Sequence, residues 1–597
     1  SVPNATSASQ FTHYYNPLYN TTINTINESQ YTNINNQTNM NWLLGKGFRV
    51  TGRFQLTKQH DESDVFLPAQ HTAFATVTDV TKMGRYTKGT GKFFSVDGTL
   101  QVDYTKKMGK HFLLNSTGGS MAQTKSEFLS VVVEGFPNDR LSQISFGNGY
   151  PPNSKPTFNS SMTRLVGLFT NFNYSYDNRY NVDLSIRTDG SSQYGANKRF
   201  GTFWSAGASW NLYKEKFLSD KKYISMARLR GSYGVTGDNK FPPYMSMTTY
   251  QYFTDQNYRG LIGAALIAFG NKDLQWQQTI KRNVGLDLGF LANRITLTAE
   301  LYHESTTNLL LDINTPPSVG FGSYKENIGE LENKGYEFRL NAFVIRKESK
   351  RIFWSVFVNG LHNKDRIKAI ANSLKKLNDA NNTGDQTRPK LRFEEGQSVN
   401  TIWAVRSLGI DPSNGREVFL KKDGTMTYNW DVADKVVVGN SVPDMRGSFG
   451  SNFTWKRFTL GLYFSYEFGG QSYNQTLIDR VETTNYVYNV DRRVLLGRWK
   501  APGDETYFKG LVDENGRTVS TSTQATSRFV MKNNFVNAES VSLSYNFSEK
   551  LNKKLGLSNT RVSLGTNDYL RWSTIHAERG LEYPFARTFT FTFSTTF

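Results

Sequence analysis

The chain has 597 residues, and 70 Lys+Arg against 51 Asp+Glu give it a net charge of +19, with 42 Phe, 31 Tyr and 10 Trp inside a hydrophobic fraction of only 38%. With no cysteine, disulfides, thiol catalysis and Cys-ligated zinc are excluded. No apolar run reaches 18 residues, the longest candidate being 261–269, so helical membrane spans are excluded; a transmembrane strand needs only about 9–11 residues, half of them apolar.

In chain order, the informative segments alternate with period 2. Tyr180, Val182, Leu184 and Ile186 oppose Asn181, Asp183 and Ser185. Ile295, Leu297, Ala299 and Leu301 oppose Thr296, Thr298 and Glu300. Phe458, Leu460, Leu462, Phe464 and Tyr466 repeat the pattern, as do Val541, Leu543, Tyr545 and Phe547. Each reads as a strand with one apolar and one polar face. Short, mostly basic turns are predicted at 45–47, 106–110, 177–179, 292–294, 347–351, 456–457 and 550–554. Long polar stretches fall near 59–92, 124–161, 237–276, 307–331, 364–400 and 469–533. Short turns at one end and long loops at the other predict an all-β fold, a transmembrane antiparallel β-barrel. Counting hairpins gives about 17–19 strands. The basic turns account for part of the positive charge, which therefore looks more like topology than a nucleic-acid footprint.

The C-terminal stretch 587–597 puts Phe589, Phe591, Phe593 and Phe597 on one face. In water such a strand would aggregate; against lipid, paired into a sheet, it is stable, and a terminal aromatic strand suits barrel assembly.

Nothing in the sequence assembles catalytic chemistry, so no enzyme is expected. The seven histidines (13, 60, 71, 111, 303, 362 and 576) have no ligand spacing. The glycine-rich 84–92 lacks the Gly-Lys-Ser/Thr ending of a phosphate loop. Gly118-Gly-Ser120 lacks the following glycine of a nucleophile elbow. Asp411 and Asn414, in Asp411-Pro-Ser-Asn-Gly415, offer oxygen ligands for a structural calcium, but a hairpin turn with an Asx-type bond is the simpler reading. Arg187-Thr-Asp-Gly-Ser-Ser192 carries turn chemistry where a strand leaves the membrane. For substrate contact, the sequence offers loop aromatics and amides: Tyr250, Tyr252 and Phe253, and Tyr473, Asn474, Tyr486 and Tyr488. The same aromatics equally fit an interfacial girdle.

Longer motifs go beyond periodicity. Tyr176-Asp-Asn-Arg-Tyr180 is followed by Phe200-Gly-Thr-Phe-Trp-Ser205 and by Ala227-Arg-Leu-Arg-Gly-Ser-Tyr-Gly-Val-Thr-Gly237. Then come Gly270-Asn-Lys-Asp-Leu-Gln-Trp276, Asn283-Val-Gly-Leu-Asp-Leu-Gly289, Asn327-Ile-Gly-Glu-Leu-Glu-Asn-Lys-Gly-Tyr-Glu337, Gly409-Ile-Asp-Pro-Ser-Asn-Gly415 and Val442-Pro-Asp444. This ordered set, running from about Asn16 to Phe597, resembles the SusC/RagA family of TonB-dependent transporters of Bacteroidota. The tail departs from the family's pattern, with Glu578-Arg-Gly-Leu-Glu-Tyr-Pro584 where an Asp-Pro-Glu is usual.

The resemblance implies a 22-stranded outer-membrane barrel that imports oligosaccharides or oligopeptides. It further implies a SusD-like surface lipoprotein as lid, energy from TonB, contact with lipid and lipopolysaccharide, and no cofactor beyond a possible loop calcium. A barrel serving as a structural or assembly subunit without import is the alternative. Because bacterial barrels of this kind have even strand numbers, residues 1–597 are expected to be the C-terminal majority of a longer transporter, with plug and N-terminal domains outside them.

Overall fold

The period-2 segments become strands, each bonded antiparallel to its neighbour in sequence. The computed structural model describes residues 17–596 apart from 153, 239–240, 315–322, 371, 385, 484–489, 513–521 and 577–585. The wall strands are β1 (Ile26–Gly45), β2 (Phe48–Leu67), β3 (Arg85–Met108), β4 (His111–Glu134), β5 (Thr157–Tyr176), β6 (Tyr180–Ser191), β7 (Phe200–Trp210) and β8 (Ile224–Asp238). They continue as β9 (Gln277–Phe290), β10 (Ile295–Thr307), β11 (Glu330–Lys347), β12 (Ile352–Ala369), β13 (Met445–Trp455), β14 (Phe458–Phe468), β15 (Phe535–Asn546), β16 (Ser558–Asn567) and β17 (Phe589–Thr596). With the short Arg571–Ser573 segment, which pairs with the start of β15, they form one 18-stranded sheet. No helix among the described residues is long and apolar enough to cross a membrane.

Register keeps each face chemically uniform. Leu184 of β6 pairs with Phe172 of β5 and Ala206 of β7, and Leu297 of β10 pairs with Leu288 of β9 and Leu340 of β11. One step along, Asp287 pairs with both Arg228 and Thr298. A slip of one residue would carry every one of those charges to the apolar face, which fixes the register.

The reversals at 45–48, 176–180, 290–295 and 455–458 are tight and use left-handed residues such as Lys46, Asp177, Asn178 and Lys456. Asn and Asp tolerate that backbone because their side chains bond locally. The expected turn at 550–554 is instead a helix, Glu549–Leu555, started by Ser548 Oγ accepting from Leu551 N at 3.0 Å and stopped by left-handed Gly556. The expected turn at 106–110 is shorter, since Lys106 and Lys107 still belong to β3.

Two expected loops also need correction. The stretches 59–92 and 124–161 are strand at both ends and loop only in the middle: β2 runs to Leu67, β3 starts at Arg85, β4 runs to Glu134 and β5 starts at Thr157. These strands of 20–24 residues outrun the hydrocarbon, so their ends lose the apolar period and resemble loop. Polar ladders hold them instead, as where Lys88 bridges Asp64 (3.0 Å) and Glu62 (3.6 Å).

The expected loops 364–400 and 469–533 are more ordered than polar composition suggests. Lys364–Ala369 is still β12. Beyond it, Thr401–Ile410 pairs on one side with Lys435–Asn440 and on the other with Glu417–Leu420, which pairs with Met426–Thr427. The loop between β14 and β15 is stapled at its base by Gln471–Tyr473 against Val530–Lys532 and contains a core of Ile478, Val481, Val494, Phe508 and Phe529. Both loops join: Ser407 N donates to Ser527 Oγ at 2.9 Å, and Val405 bridges Thr526. This joint structure is referred to below as the loop module.

Candidate functional site

The face opposite the apolar band lines the lumen. Along its height, arginines meet carboxylates within a strand and across strands. Arg49 Nη2 lies 2.8 Å from Asp103 Oδ2, and Asp103 also accepts from Gln101 and Ser116. Arg187 lies 2.6 Å from Asp189 and donates to Ser120 Oγ at 2.9 Å. Arg228 meets Asp287 at 2.8 Å, while Arg230 bonds Glu300 and stands 3.4 Å from Asp287. Asn283 Nδ2 donates to the other Glu300 oxygen at 3.0 Å. Each carboxylate is thereby met by charge-assisted hydrogen bonds from its arginine. The result is a wall of paired charge and amide groups suited to polar solutes.

Above the wall, on the long-loop side, the loop module is organised by one buried arginine. Arg528 Nη2 lies 2.8 Å from Glu417 and 2.7 Å from Glu482, with all three side chains nearly solvent-free. Its guanidinium also sits 4.4 Å over the Phe529 ring. Burial opposes the Arg528 charge, but Glu417 and Glu482 outweigh it and hold its pKa above the ordinary value. Arg498, also buried, donates to the carbonyls of Val494, Val481, Glu482 and Lys509, which ties three chain segments together with one side chain. Burial pushes the Tyr507 hydroxyl up to about 12. Lys435, bonded to Gln386 Oε1 at 2.7 Å, is pushed down to about 8 by burial, with Arg392 and Lys390 adding repulsion.

The residues singled out in the sequence divide by location. Tyr250 and Tyr252 stand exposed on Thr249–Tyr258, one arm of a hairpin with Leu261–Ala268 on the long-loop side; the Phe253 side chain lies outside the described residues. Tyr473 packs its ring against the loop-module core with its hydroxyl buried, and Asn474 caps a short helix by accepting from Leu477 N at 3.0 Å. In the structure these two side chains are engaged in packing and capping contacts. Tyr486 and Tyr488 lie outside the described residues.

Asp411 accepts from Ser413 N (2.8 Å) and Ser413 Oγ (2.7 Å), and also from Tyr428 and Asn414. These donors, Tyr428 first, hold its carboxyl below the usual range. They make the Asx-type turn. Among the described residues no group of three His, Asp or Glu side chains is arranged so that it could hold a metal ion. Phe589, Phe591 and Phe593 lie on β17 and continue the apolar face through Thr566, Leu564 and Val562 of β16; Phe597 lies outside the described residues.

Sequence reasoning missed Arg528, Glu417, Glu482 and Arg498. Their partners are far apart in the chain, and no local pattern marks them.

The sequence profile of the family described as "TonB dependent receptor-like, beta-barrel" matches residues 2–488. The TonB-dependent receptor P39 of Formosa agariphila is 26% identical over 527 residues, covering 80% of this chain and 49% of that protein. The TonB-dependent receptor SusC of Bacteroides thetaiotaomicron is 29% identical over 342 residues, 54% of this chain and 32% of that protein. The chain thus spans about half or less of the length of the curated relatives it matches. Among solved structures, the RagAB peptide transporter superposes with a TM-score of 0.79 at 21% identity, covering 94% of this chain and 60% of that one, a likeness of fold.

Proposed function

The chain belongs to the TonB-dependent receptor β-barrel family of the outer membrane, and from that premise we propose that it is of the SusC/RagA type and forms the wall of an importer for oligosaccharides or oligopeptides. The observation that carries this reading is the pairing of a polar, ion-paired lumen with an ordered module at one end of it. A lumen lined by Arg–carboxylate pairs and amides exchanges hydrogen bonds with hydroxyls or peptide groups at little net cost. An unselective pore has no need of a module with its own buried core. We assign to that module the docking of a SusD-like lipoprotein lid, with release of cargo driven by TonB.

The test is uptake by cells carrying the native protein. Fluorescent oligosaccharide and oligopeptide pools are offered with and without dissipation of the inner-membrane proton gradient. Gradient-dependent entry of one pool, lost on deletion of the gene, is expected. Entry indifferent to both would count against import and leave the assembly role.

A further inference from the structure

The outer wall holds a cleft that cargo transport does not use. It has a volume of about 650 Å³ and spans β3 to β7, with Val96, Met121, Val166 and Phe200 as its apolar lining and Gln123, Arg164 and Arg199 as its polar one. Its place on the lipid face follows from register. Val166 pairs with Met121 and with Gly190, and Gly190 pairs with Phe200, all an even number of residues from Leu168, Ile186 and Trp204 on the apolar face. Two glycines open the depression. Gly98 lies opposite Met121, and a β-carbon at Gly190 would collide with the Phe200 ring. Met121 and Phe200 remain 64% and 67% exposed, so none of the described residues fills it.

Its height is equally defined. Tyr180 and Trp210 stack with centroids 6.3 Å apart at the short-turn end of β6 and β7, as an interfacial aromatic pair does. Gly190 lies ten residues further along β6. At about 3.4 Å per residue and a tilt of about 45°, that is roughly 24 Å, close to the apolar band of an outer-membrane barrel. The cleft therefore sits at the hydrocarbon boundary on the long-loop side, and Arg164, paired with Gln123, is one register step beyond it.

The arginines there are uncompensated. Arg164 uses Nε on Gln123 Oε1 at 2.8 Å, and among the described residues neither Arg164 nor Arg199 forms an ion pair. Glu127, the next outward acid on β4, is taken by Lys125 at 2.5 Å. Two guanidinium groups with no ion pair among the described residues, beside a lipid-facing apolar slot, match a phosphate joined to acyl chains, since guanidinium binds phosphate through paired N–H donors.

We propose that this cleft binds the phosphorylated, acylated disaccharide of lipopolysaccharide, lipid A, with an acyl chain over Val166 and Phe200 and a phosphate on Arg164 and Arg199. The leaflet on the long-loop side is the one in which an outer membrane carries that lipid. The proposal rests on the outer-membrane placement of the barrel and is independent of what the lumen carries.

The native protein, in complex with whatever it retains on mild extraction, is washed free of lipid and titrated with diphosphoryl lipid A by native mass spectrometry. One tightly held copy per barrel is expected. Affinity should fall at least about tenfold for Arg164→Ser/Arg199→Ser, for Val166→Trp, which fills the slot, and for lipid A with its phosphates removed. Heat-modifiable gel migration verifies that each variant barrel is folded, and cargo uptake should be unchanged. Retention within about twofold in the double variant, equal binding of the dephosphorylated lipid, or equal binding of phosphatidylglycerol would each overturn the assignment.

Discussion

At the scale of single residues, the two faces of one strand should respond very differently to charge. Leu297 belongs to the apolar face, level with Leu288 and Leu340, whereas Thr298 faces the lumen beside Asp287. Leu297→Lys should cost roughly 2–4 kcal/mol of refolding stability in lipid, and Thr298→Lys less than about 1 kcal/mol. Equal penalties in a denaturant titration would sink the lipid-facing assignment. Gly461 is a poorer control: it shares Thr298's kind of face, but a β-carbon there would sit 2.9 Å from Ser542 Oγ.

Lys435, in the loop module, gives a pH prediction. Its folded pKa lies near 8, below its ordinary 10.5. Below about pH 8 the folded module therefore carries a buried ammonium that unfolding would release to water, which is a destabilising contribution. That penalty disappears as pH rises from about 8 towards 10.5, so the module should gain stability across that window. Buried Lys509, lowered by the same cause, acts in the same direction. Limited proteolysis of the 369–445 loop should slow between pH 7.5 and 9.5, and Lys435→Met should flatten the profile. A wild-type rate that is constant or rises, after correction for protease activity, would contradict the buried-ammonium account.

At the scale of elements, the loop module should fail independently of the wall. Arg528→Met leaves Glu417 and Glu482 buried without their cation, a loss of about 3–5 kcal/mol. The ladders of β1 to β17 do not pass through Arg528. Protease should therefore cut within 369–445 or 468–535 while heat-modifiable migration of the barrel persists. Loss of both together would mean that the module and wall fold as one unit. This division also marks what sequence could reveal. The hairpins of β6, β10 and β14 were legible because one face of each meets hydrocarbon and must alternate. The ends of β2, β3 and β4 were not, because above the membrane Asp64, Lys88 and Glu62 support one another across strands and need no apolar period. The loop module was illegible for a stronger reason. Arg528 and Glu417 lie 111 residues apart, and their pairing exists only once two loops have folded against each other. Among the proposed contacts, Tyr473 and Asn474 were drawn by composition, which cannot distinguish an aromatic that packs from one that waits for a ligand.

At the scale of the whole molecule, the decisive features are the two sides of the sheet that carry no ladder among the described residues. Among the described residues β1 pairs only with β2, and β17 only with β16. Both strands are exposed on both faces for nearly their entire length, whereas β3 between its neighbours has buried positions at Tyr86, Gly89, Gly91 and Asp103. In hydrocarbon an open edge is untenable, because each unsatisfied backbone group costs several kcal/mol. A row of such groups would exceed the whole stability of an ordinary domain. The exposed aromatic row Phe589, Phe591 and Phe593 cannot offset this, since lipid rewards the side chains and not the bare amides beside them. We therefore expect that in the membrane both edges are paired, with strands beyond those described completing the wall. Hydrogen exchange on the native protein in lipid decides it. Amides of Ile26–Gly45 and Phe589–Thr596 should be protected to the same degree as those of β4 and β5. Alternate amides exchanging within seconds along either strand would mean an open sheet, and with it the end of the transmembrane reading for that edge.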